Sequence, residues 1–93
     1  VADLRGLEDE DLGELIGGQW ERRFYVLKDG HFRTYKSQED MTEESDMRMR
    51  SAQLKEFLGE PERHLCFALN GRVFRAEDDY DLVEWVFAVT GAM

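Results

Sequence analysis

Trp20-Glu-Arg-Arg-Phe-Tyr-Val-Leu27, running into Lys28-Asp29-Gly30 and then Phe32-Arg-Thr-Tyr35-Lys36-Ser37, is the stretch of this 93-residue chain that decides its fold. Aromatic and β-branched residues fill Trp20 to Leu27, the composition of a long strand packing a pleated surface. Asp29-Gly30 supplies the positive backbone dihedrals of a two-residue hairpin turn, and Phe32 to Lys36 is the return strand. Upstream, Leu12 to Ile16 predicts a short strand and Gly17-Gly18-Gln19 a tight turn. Residues 1–11 are charged and weakly patterned, so they read as an acidic linker or N-terminal extension with no role in the fold.

Downstream, Ser37 to Asp46 reads as an acidic loop, and Met47-Arg-Met-Arg50 alternates with the period of a half-buried strand. Ala52 to Leu58 fits either a strand or a short helix, since Leu54, Phe57 and Leu58 also follow helical spacing. Gly59-Glu60-Pro61-Glu62 is a loop, and His64 to Leu69 and Val73 to Ala76 flank the hairpin signal Asn70-Gly71. The last segment predicts a helix with Asp78 as N-cap, Asp79 and Asp81 at the positive end of its dipole, and Gly91 ending its last turn. Leu82, Trp85, Val86 and Val89 form one apolar stripe at i, i+3, i+4 and i+7. About seven strands and one C-terminal amphipathic helix, without alternating βαβ units, make two packed sheets capped by a helix.

Size and charge narrow the function. Ninety-three residues with 42% hydrophobic content support one domain with a modest core. No apolar run approaches the roughly 20 residues of a membrane span, and the start Val1-Ala2-Asp3 lacks the basic and apolar regions of a secretory signal. One cysteine, Cys66, excludes an internal disulfide framework and fits a reducing compartment, so a cytoplasmic location is expected. Twenty-one acids against 12 bases give a net charge of −9, which disfavours nucleic acid and other polyanions as partners. The acids cluster at residues 3–14, at Glu39, Asp40, Glu43, Glu44 and Asp46, and at Glu77, Asp78, Asp79, Asp81 and Glu84. Such clusters are ordinarily solvated surface; the sharper reading is a docking face for a basic protein.

The order of these features resembles a pleckstrin homology (PH) domain over roughly residues 12–91. Gly13-Glu-Leu15 is similar to the family's first strand, Trp20 to Leu27 to its Trp-x-x-Arg-aromatic strand, and Asp29-Gly30 with Tyr35-Lys36-Ser37 to its hairpin. Phe67-Ala-Leu69 and Val73-Phe-Arg-Ala76-Glu77 resemble its last two strands, and Trp85 its helix tryptophan. The resemblance implies an all-β fold with one C-terminal α-helix: a seven-stranded, partly open barrel or sandwich, here spanning 12–93, capped by an amphipathic helix.

The resemblance also implies a test for phosphoinositide binding. Binders in the family carry a first-strand lysine, then a basic residue, one spacer and an arginine on the second strand. Alternate strand residues share a face, so such a hairpin surrounds a phosphate with charge-assisted donors. Here those positions fall on Gly17, Glu21 and Arg23, and the third-strand tyrosine falls on Thr34. Glu21 puts an anion where a phosphate would sit, and at about 4 Å with an effective dielectric of about 20 the swing from attraction to repulsion is several kcal/mol. Arg22, Arg23, Lys28 and Lys36 remain as a small basic group, enough for weak attraction to anionic membranes.

Other chemistry has little support. His64 and Cys66 would share a strand face, yet no second metal-ligand motif accompanies them, and Asp9, Asp11 and Gly13 lack the spacing of a calcium loop. No cofactor, metal or catalytic residue is predicted. Tyr80, Val83 and Phe87 flank the core stripe of the helix and, with Glu43 and Glu44, are the candidate protein contacts. The expectation is a non-enzymatic module for protein–protein contact in signalling, scaffolding, localisation or autoregulation within a larger protein, with weak phosphoinositide binding as the alternative.

Overall fold

The structure, a computed structural model, describes residues 7–9 and 12–93. Nine strand segments precede one helix: β1 (Leu7–Asp9), β2 (Gly13–Ile16), β3 (Gln19–Arg22), β4 (Phe24–Lys28), β5 (His31–Tyr35), β6 (Glu43–Arg48), β7 (Leu54–Glu56), β8 (Cys66–Leu69), β9 (Arg72–Arg75) and α1 (Asp79–Ala92). They form two antiparallel sheets, β1-β4-β5-β6 and β3-β2-β9-β8-β7. The described residues hold nine strand segments where about seven were expected, because residues 7–9 add one and the stretch Trp20 to Leu27 divides into two. β3 pairs with β2 and β4 with β5, so the stretch Trp20 to Leu27 is cut at the single residue Arg23. β1 and β2 likewise divide between the sheets.

Several local expectations need correction. Leu7↔Leu27, Glu8↔Val26 and Asp9↔Tyr25 pairing puts residues 7–9 in the four-stranded sheet rather than in a linker. The remaining residues of the proposed N-terminal extension, and Asp11 of the calcium-like pattern, lie outside the described residues. The acidic stretch is a loop only to Thr42; Glu43 to Asp46 open β6, with Thr34↔Ser45 and Arg33↔Asp46 in register. Met49–Ser51 is a 3₁₀ turn, and Leu54–Glu56 resolves the ambiguous segment as a strand paired with β8. Gly91 does not end the helix, which continues to Ala92. The Asp78 side chain does cap it, accepting the Asp81 N–H at 2.8 Å.

Three hairpins close on two positive-φ residues each, Gly17-Gly18, Asp29-Gly30 and Asn70-Gly71. Turns of this hand match the right-handed strand twist. Between the sheets lies an aromatic core of Tyr25, Phe32, Phe67, Phe74 and Trp85, all fully buried. Phe32 stacks on Tyr25 at 5.6 Å and meets Phe74 and Trp85 edge-on at 5.3 and 5.6 Å. α1 covers this core with Trp85 and Val89, while Leu82 and Val86 pack at its margin.

Candidate functional site

The expected lipid-binding residues do not form one cluster. Arg23 and Lys36 flank the Phe24↔Tyr35 pair at one end of the β4–β5 hairpin, whereas Lys28 pairs with His31 at the other. At about 3.3 Å per residue, Lys28 is roughly 15 Å away along the strand. Arg22 lies opposite Gly13 in the other sheet, exposed. Thr34 is not at the surface at all. It is 2% exposed, and its hydroxyl accepts from Arg72 Nη2 at 3.0 Å, so it cannot substitute for a phosphate-contacting tyrosine.

Arg23 is held by the chain's own carboxylates. Its Nε donates to Glu44 Oε1, and its Nη2 lies 3.3 Å from Glu21 Oε1. Burial pulls the guanidinium toward proton loss, but the hydrogen bond and charge of Glu44 and the charge of Glu21 outweigh it and raise the pKa. Lys36, the other base at this end, is 4.0 Å from Asp40. The loop between β5 and β6 is itself tied down: Asp40 accepts from both the hydroxyl and the N–H of Thr42, bonds that lower its pKa. Because Ile16 pairs directly with Gln19, the Gly17-Gly18 turn has neither length nor cation to wrap a headgroup.

Beneath this mouth is a buried network that the residue patterns did not reveal. Glu14, 6% exposed, accepts from Arg72 Nε and Nη2 at 2.8 and 2.9 Å and from the Tyr25 hydroxyl at 3.0 Å. Arg72 also donates to Thr34 and, through Nη1, to Ser45 at 3.0 Å, so one guanidinium joins β2 and β9 to β5 and β6. Its cationic carbon lies 5.2 Å from the Phe74 ring centre and 5.9 Å from that of Phe32. Burial, and next the Glu14 charge, push the Tyr25 phenol well above its usual range. The sequence held one signal of this: Glu14 shares the inward phase of Leu12, and Arg72 that of Phe74 and Ala76.

The acids of β6 are also engaged. Asp46 takes a 2.8 Å hydrogen bond from His31 and lies 3.5 Å from Arg33, which is 3.9 Å from Glu43. Contact with His31 holds the Asp46 carboxyl below its ordinary value. Glu43 and Glu44, expected to steer a partner, thus face Arg33 and Arg23 of their own chain. His64 and Cys66 do not share a strand face, since β8 starts at Cys66 and His64 ends a 3₁₀ turn. The Cys66 thiol, its pKa raised by burial, points to the His64 carbonyl at 3.6 Å, and among the described residues no His/Cys/Asp/Glu group could hold a metal.

The outward face of α1 is the opposite case. Tyr80, Val83 and Phe87 are 76, 65 and 74% exposed. Tyr80 and Phe87 are two turns apart and nearly eclipsed, opposite buried Val89. A solvated helix normally carries polar residues there.

The family model for the PH domain matches residues 7–93. The chain belongs to the PH domain family. Its fold is also similar to the solution structure of the PH domain of human KIAA0053 protein, with a TM-score of 0.75 and 22% sequence identity over 87% of this chain and 82% of that one. No curated protein matches the chain. Membership makes this a PH module of a generally non-catalytic family that serves protein or lipid interaction. Within that PH frame, Glu14, Ser45 and Arg72 lie outside the family's phosphate-binding pattern, which takes no account of which side chains point inward. No helix among the described residues is long and apolar enough to cross a membrane.

Proposed function

We propose that this PH domain is a protein–protein contact module, serving scaffolding, localisation or autoregulation in a larger cytoplasmic protein, and that it docks through the outer face of α1. The exposed line Tyr80, Val83 and Phe87 carries the reading, because exposed aromatics in register on a well-anchored helix are what interface hot spots are made of. The mouth argues in the same direction. Arg23 is the one base left from the phosphoinositide pattern, and Glu21 and Glu44 already occupy its Nη2 and Nε.

Sedimentation with vesicles containing phosphoinositides at physiological salt tests the choice. The native chain is expected to stay in the supernatant, with Arg23→Ala indistinguishable from it. Retention on vesicles that Arg23→Ala removes would overturn the proposal in favour of membrane recruitment.

A further inference from the structure

Resting on the helix-docking reading, we infer that the partner of α1 is a basic amphipathic helix, whose apolar side packs on Tyr80, Val83 and Phe87 and whose Lys and Arg residues meet the acids beside them. Residues 77–93 contain five acids, Glu77, Asp78, Asp79, Asp81 and Glu84, and no lysine or arginine. Glu84 is exposed on the same face, between Tyr80 and Phe87 along the helix. Asp78 and Asp81 already accept backbone N–H groups at the helix start, so the charge beside the aromatic strip is that of exposed Glu77, Asp79 and Glu84, and a partner of the opposite sign completes it.

Gly91 adds a second observation. It is one turn beyond Phe87 on the same face, and a Cβ there would meet nothing within 4 Å. The glycine lowers the surface next to the Phe87 ring, where a second helix can approach closely and set its side-chain ridges between those of α1. Tyr80 to Phe87 spans only about 10 Å, which suits a helix of a few turns better than a broad globular interface of roughly 800 Å² per partner.

Charge also disposes of the two other occupants. A second copy packed about a two-fold axis near Val83 would bring Glu84 against its own counterpart, a like-charge contact that costs affinity. An anionic membrane would meet five carboxylates and no base along this segment.

Selection from a phage-displayed library of random 16-residue peptides on the immobilised 93-residue chain, followed by affinity measurement of synthetic winners, tests the inference. Expected winners carry apolar residues at helical spacing flanked by Lys and Arg. They should bind Phe87→Ala about tenfold or more weakly, and Glu84→Lys about threefold more weakly with a reduced salt dependence. Both substituted side chains are exposed, so circular dichroism and melting should match the native chain. Neutral or acidic winners that still need Phe87 would overturn the basic partner while leaving helix docking intact. Winners that bind Phe87→Ala as tightly as the native chain, or an absence of enrichment, would overturn both. Self-association in sedimentation that Phe87→Ala abolishes would replace the basic helix with a second copy.

Discussion

The barrel mouth and the outer face of α1 stand at the same protein surface in opposite chemical conditions. At and beneath the mouth, the cations have partners inside the molecule: Arg23 has Glu21 and Glu44, although its buried Nη1 has no hydrogen-bond partner, Arg72 has Glu14, Thr34 and Ser45, and Lys36 has Asp40. On α1, Tyr80, Val83 and Phe87 lie open to water while Trp85 and Val89 of the same helix are fully buried. A ligand gains little where it must displace ion pairs already made, and gains most where it covers apolar surface that folding left exposed. Residue type alone therefore does not mark a site; apolar surface that folding leaves uncovered does.

The largest effects come from cutting what each region holds inside. Glu14→Ala leaves Arg72 half-enclosed without its carboxylate and should cost about 3–5 kcal/mol in urea denaturation. Glu44→Ala, at an exposed pair, should stay within about 1 kcal/mol. A small loss for Glu14→Ala would show that the mouth is not internally neutralised as described. On the helix, Trp85→Ala should cost about 3–5 kcal/mol, against at most about 0.5 for Phe87→Ala. A large penalty for Phe87→Ala would place that ring in the core and remove it as a contact.

The smallest effect concerns the acidic strand. The folded chain depresses the pKa of Asp46 through His31, so its contribution is fully present above the unfolded carboxyl value of about 4 and is lost as pH falls through the lower folded value. Melting of the native chain and Asp46→Asn should therefore differ at neutral pH and converge as pH falls through the depressed folded value. A difference that grows in acid would contradict the assigned His31 contact.

Much of the fold was legible because local signals agreed. The three hairpin turns and the Asp78-capped helix stand where turn chemistry and periodicity put them, and Trp20 to Leu27 is strand on either side of Arg23. What failed was non-local. The strand break at Arg23 has no composition signal, since it depends on two sheets meeting at that corner. The acids of 43–46 looked unpaired along the chain, yet β5 brings Arg33 and His31 across from them. Thr34 looked like a ligand contact because family alignment ignores which face a strand residue takes, and its neighbour in phase, buried Phe32, already pointed inward.

Closure of the mouth to phosphate by the chain's own carboxylates can be measured by phosphoinositide vesicle binding of the native chain beside a Glu21→Gln, Glu44→Gln double variant. The native chain should not bind, and the variant should show measurable, salt-sensitive binding once Arg23 is released. Binding by the native chain that the two substitutions leave unchanged would contradict it.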